Sequence, residues 1–257
     1  MNYIKKGLPS FFTSLGLISG CISIVFSISH KDLTLAGYFI LAAAVFDFID
    51  GMAARILKNV SPFGKQLDSL ADVVSFGVAP AMILCQLIVL SFTQSSPDFD
   101  YVNPTLGQSV IIYSSFLVAV FSALRLAKFN LDPEQVKNFK GLPTPANALF
   151  ISALGFMAES SRELPFSDII FNRYFLLIVI VLSCYFLVSD IKMFSLKFSS
   201  FGIRKNLMRY LFILFAIGLI LGFGFPKEEN FSLSGLAPAI VIYIVMSLIN
   251  NWFVKLE

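Results

Sequence analysis

The sequence predicts an all-α fold, a polytopic membrane helix bundle with about eight transmembrane helices. Three observations carry this. Of the 257 residues, 57% are apolar and only 14% charged, whereas soluble domains carry about 25% charged residues. The 29 phenylalanines exceed what one water-soluble core buries, and a lipid-facing surface accommodates them without burial in protein. The apolar residues also gather into eight runs, most near the about 20 residues that a bilayer crossing needs.

The runs are roughly Phe11–Ile28, Leu33–Leu57, Asp68–Phe92, Gln108–Lys128, Ala146–Ala158, Tyr174–Val188, Met208–Phe225 and Leu236–Phe253. The first follows Lys5 and Lys6, is long enough to span, and has no small-residue cleavage site, so no cleavable leader is expected. The second and third carry carboxylates, and the fourth ends on Arg125 and Lys128. The fifth is short and follows Pro143 and Pro145. The sixth to eighth are uninterrupted apolar runs. The connections at 94–107 and 160–173 are rich in Pro, Ser, Asn and Asp, which suits water-facing loops. With the N-terminus in the cytosol and eight spans, fifteen of the nineteen Lys and Arg fall on the cytosolic side. Only Lys31, Arg162, Arg173 and Lys227 fall opposite. That asymmetry is the positive-inside pattern, and it supports an even number of spans.

Cys21, Cys85 and Cys184 lie far apart in apolar runs, without metal-ligand spacing, and read as small hydrophobes. His30, between Ser29 and Lys31, reads as a loop residue, since no second soft ligand accompanies it.

The carboxylates are the anomaly. Asp47 and Asp50 lie inside the second run, and Asp68 and Asp72 open the third. A charged residue within a span costs on the order of 2.5–3.5 kcal/mol on insertion scales, so such residues mark function. Separations of three and four place each pair on one helical face. Two adjacent antiparallel helices bring the pairs together near one end of the spans. Four converging carboxylates repel one another, and divalent cations relieve that. All-oxygen ligands favour Mg²⁺ or Mn²⁺ over Zn²⁺. A two-metal site points to phosphoryl-type chemistry. Gly51, Ala54 and Gly64 leave room for a nucleotide to approach the backbone, and Arg55 is placed to pair with a diphosphate. The competing reading is a cation site in a transporter, which predicts inverted repeats with broken helices in both halves. Acidic spans occur in one half only.

Asp47 to Asp72 fits D-x-x-D-G-x-x-A-R-x8-G-x-x-x-D-x-x-x-D and thereby resembles the signature of the CDP-alcohol phosphotransferase family. The resemblance implies a six-helix core, usually in a homodimer. It also implies two Mg²⁺ or Mn²⁺ ions held by Asp47, Asp50, Asp68 and Asp72, with Asp72 as general base. Val74–Ala81, Ala123–Asn130, Phe139–Pro145 and Ile191–Phe198 are similar to segments of the family's bacterial serine-accepting branch. Residues 1–198 are therefore expected to form the catalytic core, with two further C-terminal helices over 199–257. The implied reaction joins CDP-diacylglycerol to L-serine, giving phosphatidylserine and CMP, at the cytosolic face of a bacterial inner membrane. Glycerol 3-phosphate or an inositol compound is the alternative acceptor. No nucleic-acid partner is expected. Two asparagines common in that branch's first span are Ser10 and Gly16 here, while Thr13 remains as a nucleotide contact.

For the acceptor, Arg125 and Lys128 are candidates for the serine carboxylate and Asn130 for its ammonium. The alternative for the two cations is anchoring at the headgroup layer. A phosphorylated acceptor needs a denser cationic pocket than this pair, which favours serine.

Overall fold

A computed structural model of the chain describes residues 2–57, 61–96, 98–131, 140–160, 167–193, 203–224 and 233–254. Lys58, Lys137, Arg162, Lys197, Lys227 and Lys255 lie outside them. So do Phe139, most of Ile191–Phe198 and the expected boundary at 198. The described residues form eight long helices, one helical turn at Ser167–Ile170, and no strand. Helix α1 spans Asn2–Val25 and ends in a π turn, Phe26–His30. It is followed by α2 (Leu33–Ile56), α3 (Pro62–Ser95) and α4 (Leu106–Leu131). The remainder are α5 (Thr144–Ser160), α6 (Arg173–Val188), α7 (Ile203–Gly224) and α8 (Leu236–Val254).

Four helices, Gly7–His30, Leu33–Ile56, Pro62–Ser95 and Leu106–Leu131, are long and apolar enough to cross a bilayer, and the chain is an integral membrane protein. Arg173–Val188, Tyr210–Phe223 and Leu236–Ile249 are shorter apolar helices. Large apolar side chains such as Phe48, Val181 and Leu214 face outward, as a lipid solvent permits.

The fifth predicted run reads short because its helix is surrounded by protein. Ile151, Ala153, Leu154, Phe156 and Met157 of α5 are buried against α2, the second half of α3, and α8. A helix apolar on every side is a core element. The third helix starts at Pro62 rather than Asp68. Ser61 caps it, accepting from the Gly64 N–H at 2.9 Å, with Pro62 in the first turn. Asp68 and Asp72 therefore sit inside the helix, not at its mouth.

Helix α3 is not regular. Val73–Val78, directly after Asp72, is π-helical, an irregularity often found at functional sites. It carries Ser75 against α1, where Ser75 donates to the Gly16 carbonyl at 3.0 Å. A Cβ at Gly20 would lie 2.5 Å from Ser75 Oγ, so α1 and α3 touch at backbone range. Small residues at such crossings are how membrane helices pack without a hydrophobic drive between them.

Described basic residues occur at both ends of the bundle. At one end Lys128 Nζ lies 2.8 Å from Asp190, and Lys65 Nζ donates to the Asn130 carbonyl at 3.5 Å. Lys140 and Lys192 pair in a single antiparallel bridge. Gly141 beside it has φ +74, and a side chain there would meet the Leu187 carbonyl; only glycine suits both conditions. At the other end lie Lys31, over the Tyr101 ring, and Arg173, over Phe92. Glu159 accepts from the Leu33 N–H there. His30 closes the last turn of α1 against Phe26, instead of standing in the loop. Of the cysteines only Cys184 is buried; Cys21 is exposed and Cys85 half-buried, so burial explains only one of them.

Candidate active site

Helices α2 and α3 approach each other through α1, and the acidic pairs meet where they do. One carboxylate oxygen from each of Asp47, Asp50 and Asp68 lies within 4.8 Å of the others. Asp50 is buried, and its Oδ2 lies 2.6 Å from the Thr13 hydroxyl. That hydroxyl is also 3.1 Å from the Pro9 carbonyl, so its single proton has two acceptors. Thr13, expected to touch a nucleotide, thus orients Asp50 while still lining the pocket.

Two spaces that share Thr13, Asp50 and Asp68 in their linings adjoin the cluster. The outer one, of about 170 Å³, is lined by Ser10, Thr13, Gly51, Ala54, Gly64 and Lys65, with Asp50 and Asp68 at its floor. The inner one is narrow and lined by Asp47, Asp50, Asp68, Asp72, Gly16 and Ser75. Asp72 is not part of the close triad. It lies one turn further along α3 and interacts electrostatically with Arg125.

Arg125 is buried at 7% exposure. Its Nη1 donates to Thr144 Oγ1 at 3.3 Å, its Nε has no partner among the described residues, and Tyr243 of α8 is within electrostatic range. Lys128 is exposed and paired with Asp190, whose carboxyl it holds below the usual range. Asn130 Nδ2 donates to Ser69 Oγ at 2.7 Å, tying the end of α4 to α3. Arg55 is exposed, with its Nε turned back onto the Gly51 carbonyl at 2.9 Å, and it does not line either space.

The structure therefore brings together Asp47, Asp50, Asp68, Thr13, Gly51, Ala54 and Gly64, and puts Asp72 within electrostatic range of Arg125. It places Arg55 and Lys128 on the surface. Lys65, Ser61, Thr144 and Tyr243 are positioned here without having been singled out. Lys65 had a local signal, its place beside Gly64 in the signature. Tyr243 had none, being over a hundred positions away on a featureless apolar run.

The donor set fits a hard divalent cation. Three carboxylates converge with no cationic side chain in ion-pair contact among the described residues. Such a cluster is tolerable in an apolar bundle when cations neutralise it.

Gly51 supplies a direct test of the outer space. A Cβ built there meets nothing within 4 Å, and alanine is favoured over glycine in a helix interior by about 1 kcal/mol. Gly51→Ala is expected to raise the thermal melting point and weaken nucleotide-lipid binding, measured on the same preparation. Unchanged binding would show that no ligand approaches this face of α2.

An apolar bundle long enough to cross a bilayer, with a carboxylate cluster whose oxygens could hold a metal ion beside a pocket lined by small residues, defines a class of membrane-embedded protein. The family model for CDP-alcohol phosphatidyltransferase matches residues 6–189, and the chain belongs to that family. It is 38% identical over 159 residues to an archaetidylserine synthase of Methanothermobacter thermautotrophicus, covering 60% of this chain and 61% of that protein. A CDP-diacylglycerol–serine O-phosphatidyltransferase of Helicobacter pylori is 29% identical over 251 residues, 97% of this chain and 92% of the relative. The Bacillus subtilis protein of the same name is 34% identical over 156 residues, 61% of this chain and 77% of its own.

Proposed function

We propose that this chain transfers the phosphatidyl group of CDP-diacylglycerol to L-serine and releases CMP. The observation that carries this is the convergence of Asp47, Asp50 and Asp68 beneath a polar pocket at one end of an apolar bundle. The reaction named for the bacterial relatives supports serine as acceptor.

In this reading the nucleotide lies over Gly51, Ala54 and Gly64, with Lys65 toward its diphosphate, and Arg55 would have to leave the Gly51 carbonyl to reach it. Asp47, Asp50, Asp68 and Asp72 hold two Mg²⁺ or Mn²⁺ ions. Bound there, the ions offset phosphate charge and stabilise what develops on the leaving group. Thr13 holds Asp50 in its ligating rotamer. Arg125 takes the serine carboxylate through its free Nε, and Asn130 Oδ1 accepts from the ammonium. Lys128 is committed to Asp190, so the carboxylate is assigned to Arg125 alone. Asp72, on the acceptor side, takes the hydroxyl proton as the serine oxygen bonds to phosphorus and the bond to CMP breaks. The fifteen-to-four basic asymmetry supports a site facing the cytosol of a bacterial inner membrane, and the family resemblance adds a homodimer.

The test is CMP release by the purified chain from CDP-diacylglycerol, with serine, glycerol 3-phosphate and inositol supplied in turn. Release with serine alone is expected; faster release with glycerol 3-phosphate would reassign the acceptor. Arg125→Ala is expected to raise the KM for serine on the order of tenfold or more, the scale of a lost charge-assisted hydrogen bond, and to change that for CDP-diacylglycerol far less. Equal shifts in both would make Arg125 a structural residue.

A further inference from the structure

Away from the acidic site, α5, α6 and α8 enclose an apolar groove of about 220 Å³. Val179 to Phe186 of α6 and Val241 to Leu248 of α8 form its two long walls. At 1.5 Å rise per residue each wall is about 10 Å long. Leu182, Val241, Val245 and Leu248 are also exposed on the outer surface, so the groove opens sideways to whatever surrounds the bundle.

One lining residue does not belong in such a place. Asn147, one turn into α5, is 1% exposed, and neither its Nδ2 nor its Oδ1 has a partner among the described residues. An amide buried without hydrogen bonds is costly, more so where no water reaches. Among the described residues no group satisfies it, and it lines the groove. Asn147 also lies near the end of the bundle where Arg125 meets Thr144 and Lys128 meets Asp190. Charged side chains gather at that end, and the ester groups of a glycerolipid lie at the charged layer of a bilayer.

We propose that this groove binds a glycerophospholipid of the surrounding bilayer. One acyl chain runs between α6 and α8, and its ester carbonyl accepts a hydrogen bond from Asn147 Nδ2. The length and apolarity of the walls suit a hydrocarbon chain, and the buried amide suits an ester at its polar end. Ser183 is the one other polar side chain on the wall. One wall comes from α8, beyond residues 6–189 that match the family, so the groove joins the family core to the C-terminal helix. The assignment does not depend on which acceptor the acidic site uses.

The test is photo-labelling of the full-length chain in vesicles containing phosphatidylcholine with a diazirine on one acyl chain, which is not a nucleotide lipid. Labels mapped by mass spectrometry are expected to concentrate on Leu182, Val241, Val245 and Leu248 relative to Val120, a lipid-exposed position on α4. Asn147→Leu is expected to reduce groove labelling at least about fivefold, the effect of one buried hydrogen bond. Val245→Phe, which fills the groove from its open side, is expected to do the same if Asn147→Leu fails to fold. Labelling no stronger than at Val120, or untouched by both substitutions, overturns the proposal. So does displacement of the probe by micromolar CDP-diacylglycerol, which would make the groove part of the substrate site. Efficient chain-to-chain disulfide formation in a Val241→Cys variant would likewise assign the face to a second copy.

Discussion

Asp72→Asn is expected to lower turnover with serine by about a hundredfold or more, the usual scale for loss of a general base. Binding of CDP-diacylglycerol should be largely kept. The serine hydroxyl is a poor nucleophile until its proton has somewhere to go. Asp72 is outside the close Asp47, Asp50 and Asp68 triad, lines the inner space with them, and is within electrostatic range of Arg125. Arg125 is the residue proposed to hold the serine carboxylate, and Asp72 is the carboxylate in electrostatic range of it, which is the ground for proposing Asp72 as the proton acceptor. Asparagine keeps the shape and one oxygen but accepts no proton. Asp50→Asn provides the contrast. Asp50 is buried, receives the Thr13 hydroxyl and floors the outer pocket, so its loss should weaken nucleotide-lipid binding together with turnover. The comparison is nucleotide-lipid affinity against kcat in the two purified variants. Near-normal turnover by Asp72→Asn, or failure traceable only to lost binding, would falsify the assignment of the base.

Removal of divalent cations is expected to abolish CMP release, and Mg²⁺ or Mn²⁺ to restore it. Three carboxylates with oxygens within 4.8 Å have no cationic side chain in ion-pair contact among the described residues. Their repulsion is relieved by hard cations and by little else the bundle contains. The same electrostatics predicts a second readout independent of catalysis: the EDTA-treated chain should melt at a lower temperature, and Mg²⁺ should raise it again. Zn²⁺ should restore less, since the donor set offers neither sulfur nor nitrogen. Full activity in a rigorously metal-free preparation would end the metal reading of the cluster.

Much of this was legible in the residues because it is local. Asp47 with Asp50, and Asp68 with Asp72, share helical faces by spacing alone, and a charge in an apolar run is conspicuous wherever the run folds. Gly51, Ala54 and Gly64 lie in the same windows, so the open cradle could be placed beside the acids. Helix α5 was harder to read. A helix enclosed by protein need not be as long as a bilayer crossing, and its ends at Thr144 and Ser160 are set by neighbours. The π segment after Asp72 had no signature either, because Val73–Val78 is mostly apolar whichever way it winds.

The sequence by itself determined the membrane character, the acidic faces of α2 and α3, and the family. Only the tertiary structure decided which oxygens converge. It grouped Asp47, Asp50 and Asp68, put Asp72 within electrostatic range of Arg125, gave Thr13 to Asp50, and turned Lys128 to Asp190. It also brought Tyr243 of α8 within range of Arg125, and left the Asn147 amide without a hydrogen-bond partner among the described residues. The reason is one of range. Spacing along a helix fixes which side chains share a face, but which faces meet, and at what height, depends on how closely the backbones approach. Here that is set by contacts such as Gly20 against Ser75 and the Ser75 hydroxyl on the Gly16 carbonyl. Those contacts join positions more than fifty residues apart, and no local pattern announces them.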